Sequence, residues 1–409
     1  MLAARAEAVR DAELRSSAGH PTAALVLGSD YRALGVVRSL GRKGVPVRVL
    51  ASGDDRLAAC SRYNRATIAW PGEDGDRLAL LEQLAAADGE VSALFPSADD
   101  SAEFVARHYD ELSPLFALTT PPWEVLRWAH DKRMTHELAL AAGVDYPLTL
   151  YPESRRDLER AELRFPLILK PAVKEDVNAL TAAKAWRADD REMLLCRYDE
   201  AVKLVAPELL VVQELVHGGG DAQLSYAALA ESGRVLYSLT ARRTRQYPAD
   251  FGRASTFVET IDEPRLHEPS RRLIEACAFS GLVEIEYKLD APTGRLLLLD
   301  VNPRVWGWHS LCARAGVDFP WLLWLALRGE ELPDARATSG QRWLRLSTDL
   351  PTALKEIAGR RLSARTYLAS ILRRHEGAIF ARDDPRPGLV ELPMLAGTLV
   401  RRLRSDDPV

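Results

Sequence analysis

Residues 281–309 read Gly-Leu-Val-Glu-Ile-Glu-Tyr-Lys-Leu-Asp (281–290), Ala-Pro-Thr-Gly (291–294) and Arg-Leu-Leu-Leu-Leu-Asp-Val-Asn-Pro-Arg-Val-Trp-Gly-Trp-His (295–309). The first ten alternate as a strand does: Val283, Ile285 and Tyr287 share one face, and Glu284, Glu286 and Lys288 the other. In the third run Asp300 and Asn302 share a face, with Leu299 and Val301 behind them. Asp290 and the Pro-Thr-Gly run supply turn chemistry, so the stretch predicts a β-hairpin.

A hairpin symmetric about residue 293 sets Glu286 opposite Asp300 and Glu284 opposite Asn302. Facing carboxylates on paired strands have Cβ atoms only about 5 Å apart and repel each other, so a cation between them is expected. Two carboxylates and an amide oxygen, with no His or Cys beside them, describe a hard-cation site. Mg²⁺ fits best, because it takes one or two protein carboxylates and completes its shell with water and phosphate oxygens; Mn²⁺ would serve in its place. Arg304, just beyond the strand, carries a planar fork suited to phosphate or carboxylate. The competing reading is a solvated hairpin face. Asn302-Pro303-Arg304 directly after an apolar run is an odd choice for such a surface.

The rest of the composition narrows the classes. With 409 residues, 47% of them hydrophobic, the chain can bury a large core and should divide into two or three domains. A net charge of −4 argues against nucleic acid as a partner. Four cysteines (Cys60, Cys196, Cys277, Cys312) lack metal or disulfide spacing, which points to a reducing compartment. No apolar run approaches the length of a membrane span. Residues 1–20 are charged and Ala-rich and predict a flexible extension rather than a signal peptide, so a cytoplasmic protein is expected.

Residues 21–120 predict a β-α-β unit: a strand at 23–28, a helix from Tyr31 to Lys43 with Leu34, Val37 and Leu40 inward, and a strand at 45–50. Another strand, Val91 to Pro96, brings Ser97 and Asp99 to its carboxyl end, the edge at which open α/β sheets bind ligands. Asp30, Arg62, Ser97 and Asp99 could contribute to a pocket there. Gly28 and Gly35 do not complete a G-x-G-x-x-G fingerprint, which counts against a Rossmann oxidoreductase.

Further on, Phe165-Pro-Leu-Ile-Leu-Lys170-Pro171 ends a buried strand on a lysine, a costly site unless an anion compensates. Asp131-Lys132 opens a helix, and Leu209-Leu-Val-Val-Gln213-Glu214-Leu-Val216 leads into Gly218-Gly-Gly220-Asp221. Paired strands are expected at 224–230 and 235–241, followed by a cationic run containing Arg243 and Arg253.

In combination and in order, Lys132, Lys170, the Gln213-Glu214 hinge, Glu286 and Asp300-x-Asn302-Pro-Arg304 resemble the ATP-grasp superfamily, of the carboxylate–amine ligase type. The resemblance covers roughly residues 21–335. It implies a Rossmann-like domain (21–120), a two-lobed ATP-grasp core (121–335) and, beyond these, a small, mostly helical C-terminal segment (336–409). It further implies ATP bound through Lys132, Lys170, Lys184, Gln213, Glu214, Val216 and Asp221, with Mg²⁺ on Glu286, Asp300 and Asn302. Arg304, Arg243 and Arg253 would serve the acyl-phosphate or the acceptor. The substrates implied are a small carboxylate and an amine.

Two departures from the family pattern stand out. Asp300 replaces the usual Glu, and residues 172–183, where most members carry a glycine-rich loop, contain no glycine. A nucleotide-binding regulator is therefore the alternative function. Trp306, Trp308 and His309 could line the acceptor pocket, His309 reading equally as a structural histidine. The Arg-rich segment 336–409 could dock on the core, mediate a homodimer or touch an anionic surface.

Overall fold

The computed structural model describes residues 18–53, 56–172, 178–180, 185–247 and 254–392. The expectations placed on residues 1–17, on Lys184 and on Arg253 lie outside the described residues.

Strands β1 (Ala23–Leu27), β2 (Val47–Ala51), β3 (Asn64–Ala69), β4 (Ser92–Pro96) and β5 (Phe116–Leu118) form a parallel sheet in the order β3-β2-β1-β4-β5. The helix Tyr31–Arg42 begins where the Asp30 side chain accepts from the backbone N–H groups of Arg32 and Ala33. Strand order reverses between β1 and β4, which opens a crevice at their carboxyl ends. The walls there touch closely. Gly28 has φ +118°, and a Cβ on it would lie 2.2 Å from Ser97 Oγ.

Strands β6 (Thr149–Leu150), β7 (Leu167–Pro171), β8 (Trp186–Ala188) and β9 (Leu210–Glu214) form a small antiparallel sheet in the order β6-β9-β7-β8. Leu167, Leu169, Leu210 and Val212 pack there against Leu194 and Tyr198 of the helix Arg191–Ala201.

The third sheet comprises β10 (Gln223–Glu231), β11 (Arg234–Tyr247), β12 (Ala254–Ile261), β13 (Gly281–Leu289), β14 (Leu296–Asn302), β15 (Arg342–Leu344) and β16 (Glu376–Gly377). Its order is β14-β13-β10-β11-β12-β15-β16. Val283, Ile285 and Tyr287 pack on one side with Tyr226 and the helix His267–Ala276. On the other side Ala227, Leu239, Val258 and Trp343 share one core with Leu34, Val37 and Leu40 of the helix Tyr31–Arg42. The parallel sheet is thereby pressed onto the large, mostly antiparallel sheet through a continuous apolar layer.

The segment after residue 336 contributes β15 and β16 and two helices, Leu346–Ala358 and Ala364–Ile371. Although the segment is basic, its acids anchor it. Asp349 accepts two 2.8 Å bonds from Arg245 and one of 2.7 Å from Thr256. Asp384, fully buried, accepts from Arg38 at 2.9 Å, Ser61 at 2.7 Å and the Arg62 backbone at 2.9 Å. Asp383 takes Arg42 and Tyr63. Arg62 thus serves the tail rather than the crevice. Among the described residues, no helix is long and apolar enough to cross a membrane.

Removing one member of a buried ion pair strands the other in a poorly solvated site, at a cost of about 3–5 kcal/mol. Asp384→Ala should therefore lower the urea midpoint by that much stability and expose the segment after residue 336 to limited proteolysis. An unchanged midpoint with an unchanged cleavage pattern would show that Asp384 does not clasp the two ends of the chain.

Candidate active site

The β13–β14 register sets Glu284 opposite Asn302 and Glu286 opposite Asp300. Nearer the turn the register shifts between Glu286 and Tyr287, because Tyr287 pairs with Leu298 and Leu299 is left over. This bulge keeps Asp300 and Asn302 on the side of the glutamates while Val301 joins the core beneath.

Both acids of the facing pair have found cations. Lys132, 168 residues upstream, places its Nζ 2.9 Å from Asp300 Oδ1. Arg243 of β11 donates to Glu286 at 2.8 Å, and Gln223 of β10 donates to its other oxygen at 2.6 Å. Asn302 Nδ2 lies 3.2 Å from Glu284 and 3.3 Å from Glu286. Glu284, Glu286 and Arg243 are buried, whereas Asp300 and Asn302 are half-buried and open toward the cleft.

Lys170 at the end of β7 donates to Gln213 Oε1 at 2.7 Å, and Gln213 in turn donates to Thr149 at 2.8 Å. Glu214 accepts from the Leu148 backbone at 2.9 Å, and Val216 is buried. Asp221 is exposed in the turn Gly220–Ala222, within electrostatic reach of Lys288. The hinge residues therefore run from the small sheet to the large one, with Lys170 and Gln213 at the start and Asp221 at the far end.

His136, which the sequence reading missed, lies within electrostatic reach of Lys132, Lys170 and Asp300. Its Nδ1 lies 2.6 Å from Tyr151 Oη, and its ring stacks on Tyr146 with centroids 4.5 Å apart. Burial, then Lys170 and Lys132, push its pKa down to about 4, with Asp300 opposing, so the imidazole is neutral at pH 7. One ring thus feels both lysines and the acid. The only sequence signal was its position four residues after Lys132, on the same helical face.

Past β14, Arg304 pairs with Asp99 through two bonds of 2.7 and 3.0 Å, tying the hairpin to the carboxyl end of β4. Burial lowers its pKa to about 10, which leaves it cationic. Trp308 donates its indole N–H to Glu284 at 2.7 Å. Trp306 is fully buried in the shared core and lines no pocket. His309 is buried, lies 2.9 Å from the Arg32 carbonyl and is held neutral by burial, with a pKa near 4. It fills the space over Gly35, where a Cβ would approach its Nε2 to 2.5 Å.

Among the described residues, no three His, Cys, Asp or Glu side chains converge as a ready-made metal cage. What the chain offers is Glu286, Asp300 and the Asn302 amide, all hard oxygen donors, two of them acids already balanced by cations. That donor set fits Mg²⁺ better than a softer metal.

Burial and Glu286 raise the Glu284 pKa to about 7, against the favourable pull of Arg243, Ser225 and Trp308. The unfolded chain loses this proton in the ordinary carboxylate range, so stability falls as pH rises from there to about 7. Glu284→Gln, which cannot ionise, should escape that loss. In metal-free urea titrations its stability relative to wild type should improve between pH 5 and pH 8 by on the order of 2–3 kcal/mol. Parallel pH profiles would refute a raised carboxyl.

Residues 207–348 match the family model described as ATP-grasp in the biosynthetic pathway with Ter operon. The curated proteins yield no sequence match. Among solved structures the fold is similar to the L-amino acid ligase from Bacillus licheniformis, with TM-score 0.60, 16% identity and 78% of each chain covered. It is similar to the N5-carboxyaminoimidazole synthetase from Staphylococcus aureus, with TM-score 0.61, 14% identity, and 84% of this chain and 88% of that one covered. The biotin carboxylase–beta-gamma-ATP complex from Campylobacter jejuni gives TM-score 0.59 at 15% identity, over 78% of this chain and 74% of that one. Residues 207–348 are thus matched by an ATP-grasp family model, and the fold over most of the chain is similar to that of these solved structures.

Proposed function

We propose that the protein is an ATP-dependent carboxylate–amine ligase. The observation that carries this reading is the meeting of Lys132 and Asp300, which unites a phosphate-seeking cation with the acidic hairpin across 168 residues. Structural relatives named as a ligase and as a synthetase agree with the class.

In this reading a substrate carboxylate oxygen attacks the γ-phosphorus of ATP, the bond to the β-phosphate oxygen breaks, and ADP departs. The amine nitrogen then attacks the acyl carbon, the carbon–oxygen bond to phosphate breaks, and the amine releases a proton. Lys132, Lys170 and Lys184 bind phosphates, while Gln213, Glu214, Val216 and Asp221 seat the nucleoside. Glu286, Asp300 and Asn302 would hold Mg²⁺, which when bound would screen the charge of the phosphates. The acyl-phosphate and the acceptor fall to Arg304, Arg243 and Arg253. Positioning and electrostatics carry most of the rate, since little general-base chemistry is needed.

Glu286→Gln and Asp300→Asn should each lower Mg²⁺-dependent ADP formation roughly 100-fold or more while the far-UV circular dichroism stays at wild type. Wild-type turnover in both variants would withdraw the metal role. Nucleotide binding with no turnover on any carboxylate and amine pair would favour the regulator instead.

A further inference from the structure

The crevice at the carboxyl ends of β1 and β4 faces the loop that follows β14. Arg304 closes one side of it on Asp99. Tyr31 stands beside that loop: a Cβ on Gly307 would lie 2.9 Å from the Tyr31 hydroxyl, and Tyr31 contributes to the electrostatic environment of Arg304. From the opposite side, the residue that joins β15 to the helix Leu346–Ala358 is Arg345. Its guanidinium lies 3.9 Å over the centre of the Tyr31 ring. Tyr31, Gly307 and Arg345 are all half-buried, so each keeps solvent-accessible surface.

Charge balance sets Arg345 apart. The other arginines of this junction each hold a carboxylate: Arg32 takes Asp30 at 2.6 Å, Arg304 takes Asp99 at 2.7 Å, Arg243 takes Glu286 at 2.8 Å and Arg245 takes Asp349 at 2.8 Å. The Arg345 backbone is hydrogen-bonded to Thr256 and Asp349, but its guanidinium makes no hydrogen bond or ion pair among the described residues, and its Nε, like that of Arg243, is buried without a partner. Glu391 is an acid that senses its charge. A cation stacked on an aromatic face gains about 0.5–2 kcal/mol, but the ring supplies no hydrogen-bond acceptor in the plane of the guanidinium N–H groups. What the stacking does provide is a fork held in one plane, prepared for a bidentate oxyanion.

We infer that Arg345, held flat on Tyr31, binds a carboxylate of the amine-bearing substrate, which makes that substrate an amino acid whose own carboxylate survives into the product. The inference rests on the ligase reading for the identity of the ligand as the acceptor. It does not rest on that reading for the anion site itself. The geometry suits the role: one tyrosine side chain separates Arg345 from Arg304, so a small acceptor can be held at its carboxylate while its amine points toward the hairpin. The other explanation of Arg345 is a purely structural stack. It predicts no discrimination between an acid and its neutral amide.

The test titrates wild type and Arg345→Ala with the proteinogenic L-amino acids and with their carboxamides, in the presence of Mg²⁺ and a non-hydrolysable ATP analogue, following melting temperature and calorimetric heat. At least one amino acid should bind wild type and its carboxamide should not. Arg345→Ala should weaken the acid roughly 30-fold or more and erase the preference over the amide. Arg345→Lys, which keeps the charge but loses the fork, should recover only part of it. Binding of the ATP analogue should be the same in all three. If wild type binds no amino acid, or if Arg345→Ala keeps the acid-over-amide preference, the assignment is overturned. If amino acids bind through Arg345 but the ATP analogue does not bind, the ligase reading falls and the anion site stands.

Discussion

Two acids facing each other across a β-ladder are the constraint that much of this structure answers to. Glu286 and Asp300 sit in one ladder position with Glu284 and Asn302 in the next, and like charges so placed cannot persist without compensation. The compensation arrives from three parts of the chain: Lys132 from the helix after the first domain, Arg243 from β11 and Gln223 from β10. Each of these contacts orients a neighbouring element toward the cleft. The acidic hairpin thereby gathers contacts from a helix and from two further strands of its own sheet.

The first domain is tied to this hairpin both apolarly and electrostatically. The shared core carries the helix Tyr31–Arg42 against the large sheet, while Arg304–Asp99 and Trp308–Glu284 pin the segment after β14. The hydrophobic layer fixes how closely the bodies approach, since apolar burial is strong and undirected. The polar pairs then select one arrangement among those the layer would allow, because a buried guanidinium or carboxyl tolerates few partners. The tail repeats this logic with the signs exchanged. Asp349 and Asp384 go inward to Arg245 and Arg38, while Asp383 meets Arg42 at the surface.

Much of the scaffold could be read from local pattern. The parallel β-α-β start, the paired strands after Gln223 and the acidic hairpin all announce themselves by periodicity and turn residues, which depend only on neighbours in the chain. Other features left no such trace. Nothing near Leu299 signals a bulge, yet the bulge keeps Asp300 and Asn302 aligned with the glutamates. Trp306 looked like a pocket residue and is core, because the crevice it faces is filled by the helix Phe319–Leu327 and by His309. Arg345 lies in a short stretch with no motif at all.

The linear order of residues was enough to show that Glu286 and Asp300 would face each other and that a positive charge must be found for them, since ladder geometry follows from alternation alone. It could not show which cations answer. Arg243 reaches Glu286 from another strand of the same sheet, and Lys132 reaches Asp300 from a helix 168 residues upstream, so both contacts are set by strand order and by the packing of distant elements rather than by any local preference. The same holds for Arg345 on Tyr31, where a helix start and a strand end, remote in sequence, become two halves of one surface only after the large sheet has closed over the first domain.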